Sequence, residues 1–313
     1  MFINVRHLPR ALIQSVIIPL VKCKSGNLSD VNNYTAIAIA TAMSKILENV
    51  TAESVFSFSE IENYQFGFKT EHSTGICSQV FKQNYYVNQG SHVFACFVDF
   101  QKAFDYVNYW KLFIKLLRGN IDANIVGMLA DWYSRQELCV RWISTMLGFF
   151  MTSNGTRQDS VLSPFLFCRY IRDLLQEIVQ SGIGCNIVGI FMNILAYAND
   201  IVLLAPAWRA MQALLVILDK HTDILNMSCN VNKTVCMVFQ PKRQSQVVSE
   251  SFPQLTLCSF YIKYVDSFKY LGHIIFSNRM DNDDIQREVC NLFMRTNMLF
   301  RRFIKCSRKV KLV

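Results

Sequence analysis

Glycine and proline are scarce in this chain of 313 residues, at 12 and 6 positions. Their scarcity excludes a collagen-like or linker-rich protein. The absence of fixed-period repeats and low-complexity tracts excludes a repeat array and argues against disorder. Hydrophobic residues make up 51% of the sequence. That share supports a sizeable buried core, which at this length we expect to form two or three lobes.

Acidic residues are in the minority, with 23 Asp and Glu against 32 Lys and Arg, so the formal net charge is +9. A basic balance suits an anionic partner such as nucleic acid or an anionic membrane surface. A merely basic soluble protein is equally compatible with this charge, so the charge alone does not choose between these classes.

Paired cysteine motifs are also missing. The sequence has 11 cysteines, an odd number, and none of them form a Cys-x-x-Cys pair. This usage indicates small buried hydrophobic side chains in a reducing compartment rather than a disulfide framework or a zinc site.

The chain lacks a long uninterrupted hydrophobic run. Residues 11–21 follow basic residues as a signal peptide would, but Gln14, Ser15 and Pro19 interrupt them and no small-residue cleavage site follows. Residues 181–199 carry no charge and have the length of a membrane span, yet three Asn and three Gly break them up. We therefore expect buried strands there, no membrane helix, and an intracellular protein of the cytoplasm or nucleus that is not secreted.

Hydrophobic periodicity predicts alternating helices and strands. We expect strands at 11–21 and 93–98 and helices at 36–50 and 209–225. The predicted apolar face of the helix at 36–50 consists of Ile39, Met43, Ile46, Leu47 and Val50. This alternation favours an α+β fold with a mixed or antiparallel sheet.

Two further helices are predicted by their ends. Asn108 is placed to cap a short helix that stops at Gly119. Near the C-terminus, apolar residues from Ile285 to Phe303 recur at helical spacing. Acidic residues precede that helix and basic residues end it, and both placements suit the helix dipole. The sequence then stops in a basic stretch with no clear ending, from which we expect a truncated domain.

Two carboxylates follow apolar runs. Asp99 ends the run at 93–98, and Asp200 lies between the apolar residues at 194–198 and 201–205, where the pattern predicts a β-hairpin. If the two strands are neighbours, both carboxylates meet at one sheet edge and repel, which calls for Mg²⁺. Two such ions about 4 Å apart would activate an attacking hydroxyl and stabilise a leaving phosphate. The alternatives are a turn-capping Asp and ordinary hairpin turn chemistry.

Seven stretches in a fixed order identify a family. They are NYTAIAIATAMSKILE (33–48), QFGFKTEHST (65–74), FVDFQKAFD (97–105), NGTRQDSVLSPFLF (154–167), YANDIVLLAP (197–206), NVNKTVCMVF (230–239) and FKYLGHII (268–275). Each is weak by itself, but their order and spacing strongly resemble the reverse transcriptases of non-LTR, LINE-type retrotransposons. The resemblance covers nearly the whole chain, and the sequence looks like a degenerate copy.

This resemblance implies a right-hand polymerase fold of the α+β class. The fingers are expected at 1–92 and a palm with a ferredoxin-like sheet at 93–276. A helical insertion on the fingers side is expected near 110–150, and the truncated start of a helical thumb at 277–313.

The resemblance also implies a catalytic site. Asp99 matches the family's first metal-binding Asp, and the stretch 197–200 matches its Tyr-Ala-Asp-Asp tetrapeptide. Asp200 therefore joins Asp99 as a catalytic and metal-binding residue, and Asn199 takes a ligand position where the family has Asp. Lys233 matches a lysine near the triphosphate, a proton donor to the leaving pyrophosphate. Mg²⁺ is the implied cofactor. On the residues alone, Lys233 is a solvated turn lysine.

Other matched residues are implied to contact the substrates, which in this family are an RNA template, a DNA primer and deoxynucleotides, with no membrane. The nucleotide- and template-binding set is Phe104, Arg157, Gln158, Lys69 and Tyr197. Phe104 matches the aromatic residue that lies under the sugar and crowds out a 2′-hydroxyl; its alternative is plain core packing.

A second set is implied to lie on the primer side. Tyr270, Leu271 and Gly272 match the hairpin that supports the primer end. The C-terminal helix would then place four arginines near the duplex backbone, unless it is an ordinary charged helix face. These are Arg287, Arg295, Arg301 and Arg302.

The sequence departs from the family at sensitive positions. Asn199 offers an amide oxygen without charge, whereas Mg²⁺ favours carboxylates. Asp159 replaces a Gly that allows close approach of nucleic acid, and its charge repels phosphate. Thr35 replaces an Arg that faces phosphates, with Ala36 in place of the adjoining Pro. Lys69 replaces an Arg and loses a bidentate contact.

Three hypotheses follow. The first is RNA-templated DNA synthesis that is abolished or severely impaired in this copy. The second is a nucleic-acid-binding pseudoenzyme, based on the net charge and the basic C-terminus. The third is a decayed copy without a selected role. A nucleotidyl cyclase-type palm also uses paired Asp residues, but it does not account for Gln158 or for the stretch at 270–272.

Overall fold

The computed structural model describes residues 7–56, 62–69, 72–87, 92–157, 160–187, 190–241, 249 and 251–306. The helices are α1 (Arg10–Ile13), α2 (Ala42–Phe56), α3 (Thr74–Val87), α4 (Tyr109–Arg118), α5 (Ala123–Ser134), α6 (Ser163–Gln180), α7 (Trp208–Leu225) and α8 (Asn282–Arg302). The strands are β1 (Gln14–Val21), β2 (Tyr34–Ala40), β3 (Val93–Val98), β4 (Glu137–Trp142), β5 (Thr145–Met146), β6 (Phe150–Met151), β7 (Cys185–Ile187), β8 (Ile190–Met192), β9 (Ile194–Tyr197), β10 (Asp200–Ala205), β11 (Val235–Phe239), β12 (Leu255–Leu257), β13 (Phe260–Tyr264), β14 (Ser267–Tyr270) and β15 (His273–Phe276).

A six-stranded central sheet organises the fold, in the order β12-β13-β11-β3-β10-β9. Strand β3 pairs antiparallel with both β10 and β11, while β11 and β13 run parallel. All six residues of β3 are buried. Because successive side chains point to opposite faces, Phe94 and Cys96 pack into one hydrophobic cluster with helices α4–α7, and Phe97 packs into another with Phe81 of α3. The predicted α+β fold with a mixed sheet is confirmed.

A second sheet near the N-terminus has the order β2-β1-β4-β5, and β6 also pairs with β4. Strands β1 and β2 are antiparallel, whereas β4 joins β1 in parallel. The sheet therefore combines the start of the chain with residues 137–151.

The helix predicted at 36–50 starts too early. Its predicted buried face is also wrong, except at Leu47, which packs against the core. The alternating residues 34–40 form strand β2, because period-2 patterning suits a sheet edge, and helix α2 begins at Ala42. Met43 and Val50 are exposed, whereas Ser44 and Glu48 are buried. The reason is that this face of α2 is held by polar contacts: Ser44 donates to the carbonyl of Leu12 (2.7 Å).

Two other predicted segments need correction. Residues 11–13 belong to the single turn α1, which follows Pro9, so the strand begins at Gln14. The expected helical insertion near 110–150 is helical only to Ser134, because Leu138 and Cys139 are buried as a strand beside β1.

The remaining predicted elements are confirmed. Strand β3 spans 93–98, and the side chain of Asn108 accepts the Lys111 N–H (3.0 Å) to cap α4, with Gly119 at its end. Helix α7 spans the predicted 209–225, and strands β7–β9 occupy the uncharged stretch. Among the described residues, no helix has the length and apolarity needed to cross a membrane.

A buried ion pair joins the second sheet to the helices. The Arg157 guanidinium contacts Glu48 (2.6 Å) with both side chains at most 3% exposed, and it donates to Ser15 Oγ (2.9 Å). It also lies 4.9 Å from the ring centre of Trp132. The second oxygen of Glu48 accepts the Val161 N–H (2.9 Å). This one ion pair therefore joins four parts of the chain, which are helix α2, strand β1, helix α5 and the segment before α6.

Removing one partner of this pair is expected to destabilise the protein severely. Arg157→Met leaves the Glu48 carboxylate buried without its counter-charge, which costs about 3–5 kcal/mol. Urea unfolding measures this cost. The double variant Glu48→Met/Arg157→Met is expected to recover most of it. Lys220→Met, in an exposed pair with Glu177, is the control and should lose under about 1 kcal/mol. If Arg157→Met loses as little unfolding free energy as Lys220→Met, the buried ion pair is not what stabilises this part of the fold.

Candidate active site

Asp99 and Asp200 meet at one edge of the central sheet. In the antiparallel register Val98 lies opposite Ile201, and continuing it by one residue puts Asp99 opposite Asp200. Side-chain alternation directs both carboxylates to the face that carries Phe97. There they line one small cavity together with residues 268–271. Partial desolvation, and then the negative charge of Asp99, raise the pKa of Asp200. The predicted convergence is therefore present.

The hairpin turn between β9 and β10 presents this edge. Tyr197 pairs with Asp200, which leaves Ala198 and Asn199 as the two turn residues, so the predicted hairpin is confirmed. Ala198 has a φ of +57°, a left-handed conformation that costs about 1–2 kcal/mol for a residue with a Cβ. Asn199 follows it directly and is half-buried.

Lys233 lies beside the carboxylates. Its Nζ is 3.9 Å from Asp99 Oδ2, and its side chain is 72% exposed. The loop that carries it is tied to Asp99 by the backbone, because the Asn230 N–H donates to the Asp99 carbonyl (2.7 Å) and the Asp99 N–H donates to Thr234 Oγ1 (3.2 Å). An exposed cation thus lies beside Asp99, and the role of Lys233 towards a triphosphate stays a prediction.

Phe104 is half-buried and packs against the core. Its ring centre is 4.6 Å from that of Phe167, and its carbonyl accepts the Thr156 N–H (2.8 Å). This is the packing expected of a core residue, and the role against a sugar stays a prediction.

Of the other implied nucleotide- and template-binding residues, Tyr197 pairs with Asp200 across the hairpin, whereas Arg157 and Lys69 are engaged by other partners. Arg157 is buried in its ion pair with Glu48. Lys69 donates to the backbone carbonyl of Glu62 (2.8 Å). Gln158 and Asp159 lie outside the described residues. Thr35 is on strand β2, opposite Leu20.

The stretch 270–272 forms a tight hairpin between β14 and β15, as the resemblance implied. Leu271 and Gly272 have φ values of +46° and +91°, the pattern of a type I′ turn. Tyr270 is buried, with its ring 5.3 Å from Phe97 and its hydroxyl 3.4 Å from Cys77 Sγ. The hairpin therefore packs directly on the strand that carries Asp99.

Helix α8 is anchored to this hairpin by Asp284. Its carboxylate accepts the Ile274 N–H (2.8 Å) and contacts His273 Nδ1 (3.0 Å) and Arg287 (2.7 Å). Arg287 also donates to the Gly272 carbonyl (2.5 Å), so it supports the hairpin. The remaining arginines predicted to follow the duplex are all exposed on α8 or at its end. They are Arg295, Arg301 and Arg302.

Sequence reasoning missed two residues that shape the site. The buried side chain of Gln65 bonds to the Ala198 N–H (2.9 Å), and Gly67 lies against the same turn. Both are in the stretch QFGF, whose only signal was its resemblance to a family motif.

The donor set of the site is two carboxylates and one amide. Among the described residues, no group of three or more His, Cys, Asp or Glu side chains is close enough to hold a metal ion. Asp99, Asp200 and the Asn199 amide nevertheless all offer oxygen, which hard divalent cations prefer. The residues present therefore fit such a cation, with one carboxylate fewer than the family's site.

A palm-like sheet with two converging carboxylates is the arrangement expected of a nucleic-acid polymerase. The family model "Reverse transcriptase (RNA-dependent DNA polymerase)" matches residues 24–275. The chain belongs to this family, whose members are metal-dependent polymerases.

Relatives among known proteins come from transposable elements. The chain is 24% identical over 286 residues to a Pol polyprotein of the type-1 retrotransposable element R2 from Popillia japonica, an alignment covering 85% of this chain and 38% of that protein. It is 27% identical over 161 residues to a probable RNA-directed DNA polymerase from transposon X-element of Drosophila melanogaster, covering 47% of this chain and 17% of that protein. The chain thus spans well under half of either relative.

Solved telomerase structures share the fold. Apo telomerase from Candida tropicalis, truncated from its C-terminal domain, aligns with a TM-score of 0.57 at 8% identity, over 88% of this chain and 55% of that one. Telomerase from Candida albicans, solved with a fragment of telomeric RNA, gives 0.53 at 10% identity, over 86% and 45%. These likenesses confirm the expected right-hand polymerase fold.

Asp284 is expected to make stability depend on acid pH. Its hydrogen bonds and ion pairs outweigh desolvation and lower its pKa from 3.8 to about 2. A lowered pKa stabilises the fold by about 2 kcal/mol above pH 4 and loses that contribution as the pH falls towards 2. Unfolding free energies of the parent and Asp284→Asn should therefore differ near neutral pH and converge at acid pH. A constant difference would show that the charge is not responsible.

Ionisation of Asp200 is expected to lower the stability of the fold, whereas ionisation of Asp284 raises it. Because folding raises the pKa of Asp200 above 3.8, the ionised carboxylate destabilises the metal-free fold above that pKa, and this cost disappears below pH 3.8. Asp200→Asn should therefore raise the thermal unfolding midpoint at neutral pH in the presence of a chelator, with no gain at pH 3.5. An equal or lower midpoint at neutral pH would contradict the predicted repulsion.

Proposed function

We propose that this chain is the polymerase core of a retrotransposon enzyme that copies RNA into DNA, with activity strongly reduced by its own substitutions. The observation that carries the proposal is the convergence of Asp99 and Asp200 on one cavity beside the turn that holds Asn199. The family match supports the reaction class. The relatives' names support the retrotransposon context.

The proposed chemistry is attack of a primer 3′-hydroxyl on the α-phosphate of a deoxynucleotide. Asp99, Asp200 and the Asn199 amide would hold Mg²⁺, which supplies charge stabilisation and a more acidic hydroxyl when bound. Lys233, 3.9 Å from Asp99, is positioned to donate a proton to the leaving pyrophosphate. Its exposure lets the side chain swing towards a bound triphosphate.

Reduced activity follows from the same donor set. An amide oxygen at Asn199 carries no charge, so it attracts a divalent cation less than the family's carboxylate does. Desolvation, followed by repulsion from Asp99, raises the pKa of Asp200. With the neutral Asn199 amide as third ligand, a bound ion would be held less firmly against these two carboxylates. Thr35 and Asp159 would weaken contacts with the phosphates.

The proposed domains keep the expected boundaries, with fingers at 1–92, palm at 93–276 and the start of a thumb at 277–313. The central sheet, which begins at Val93, supports the palm. The pairing of β4 with β1 supports a fingers-side insertion from within the palm. The anchoring of α8 on the hairpin by Asp284 supports a thumb that begins beside the primer side of the site.

The proposed partners are an RNA template, a DNA primer and deoxynucleotides. The net charge of +9 suits nucleic acid, and the fold neighbours include a telomerase solved with RNA. The basic charge equally favours a second candidate function, which is binding of nucleic acid without synthesis.

Primer extension on an RNA template distinguishes these functions. The chain as given is expected to show little or no Mg²⁺-dependent synthesis, and Asn199→Asp to raise it at least tenfold because a carboxylate returns to the ligand position. Asp159→Gly added to that variant should raise it further. Asp200→Asn in the same background is the control and should abolish synthesis.

The outcomes separate the hypotheses. Full activity of the unmodified chain would refute impairment. No synthesis by Asn199→Asp/Asp159→Gly, together with RNA binding that weakens steeply with salt, would favour the pseudoenzyme. If the chain shows no synthesis and also binds no nucleic acid at low salt, both proposed functions are rejected.

A further inference from the structure

The turn that holds Asn199 is clamped by a buried side chain from a distant part of the chain. Gln65 is 2% exposed. Its Oε1 accepts the Ala198 N–H (2.9 Å), and its Nε2 donates to the Ala198 carbonyl (3.4 Å). Both backbone groups of the first turn residue are thus bonded to one amide.

The position of Gln65 is itself fixed. The Phe66 N–H donates to the Ala196 carbonyl (2.7 Å), and the Ala196 N–H donates to the Tyr64 carbonyl (2.9 Å). Residues 64–66 therefore add a short parallel segment to the free edge of β9, with Gln65 opposite Ala196. Gln65 Oε1 also accepts the Gly67 N–H (3.0 Å), so the backbone around it holds the side chain in place.

The clamp requires close packing at Gly67. A Cβ built on this residue would lie 2.5 Å from the backbone nitrogen of Ala198. No side chain fits there unless the turn moves. Glutamine and glycine therefore act together: one bonds the turn, and the other allows the backbone of 65–67 to approach it.

The contacts with Ala198 also require a glutamine at position 65. Ala198 holds a left-handed φ of +57°, which an alanine adopts only with outside support. That support has to accept from an N–H and donate to a carbonyl, and among neutral side chains of this length only a glutamine amide does both. A hydrophobic residue would leave the two backbone groups of Ala198 buried without partners.

We infer that Gln65 is a positioning residue for the polymerase reaction, because it fixes the conformation of the turn that holds Asn199 and that leads directly into Asp200 at the cavity. This inference rests on the proposed function. Gln65 itself does not line the cavity with Asp99 and Asp200, so it acts through the turn and not on the reacting atoms.

The first test measures the clamp without any activity. Hydrogen exchange of the amides at 195–201 is compared in the parent and in Gln65→Met, which keeps the length of the side chain and removes its hydrogen bonds. The Ala198 amide is expected to exchange at least tenfold faster in Gln65→Met. The control is Gln136→Met, because Gln136 is equally buried at 2% but lies outside the turn. Unchanged exchange in Gln65→Met would overturn the inference.

The second test measures positioning in the Asn199→Asp background. Adding Gln65→Met is expected to lower kcat about tenfold, while KM for the deoxynucleotide stays within twofold and Gln136→Met changes neither. A loss confined to KM, or no loss, would overturn the positioning role. Should Gln65→Met fail to fold, Gln65→Glu keeps the accepting oxygen. Its Ala198 amide is then expected to stay as protected as in the parent, and unprotected exchange would overturn the inference.

The two proposals fail in different ways. If no variant synthesises DNA while the exchange of Ala198 still depends on Gln65, the proposed function is rejected and the clamp stands as a feature of the fold. If synthesis persists at full rate without Gln65, the inference is rejected and the proposed function stands.

Discussion

The burial of strand β3 on both faces is the constraint on which the rest of the structure depends. Its six residues are enclosed between two hydrophobic clusters, so its register with β10 cannot slip without moving every side chain to the wrong face. Asp99 directly follows the strand, and its side chain is 33% exposed. A carboxylate at that point has to share the sheet edge with Asp200, and this proximity of like charges favours a cation between them.

The second sheet depends on a different kind of contact. Helix α2 buries Ser44 and Glu48 and exposes Met43, Ile46 and Val50. The ion pair of Glu48 with Arg157 therefore supplements the few hydrophobic contacts that the helix makes through Leu47 and Ala52. A packing that separated the two charges would leave each of them buried without its partner, which is strongly unfavourable. The same residue that the resemblance assigned to the substrate thus secures the position of the second sheet.

Much of the central sheet and of the carboxylate edge could be predicted from the sequence, because continuous apolar runs and a hairpin are local signals. The order of the seven motifs along the chain then indicated the family. Helix α2 could not be predicted correctly, since its buried face is chosen by Arg157, more than 100 positions away. The role of Gln65 was invisible for the same reason: 133 positions separate it from Ala198. Long-range polar contacts leave no periodic trace, whereas apolar packing does.

The way in which helix α8 is attached at its start bears on how its far end would move relative to the carboxylates. Its first two turns are held by Asp284 and Arg287, while side chains such as Leu292, Met298 and Phe300 remain more than half exposed along its length. A helix of 21 residues extends about 30 Å. If the helix rotated as a rigid body about the hairpin at 270–272, a turn of about 10° would move its far end by roughly 5 Å. A small shift beside the carboxylates would then become a displacement of several ångströms at the end of the helix.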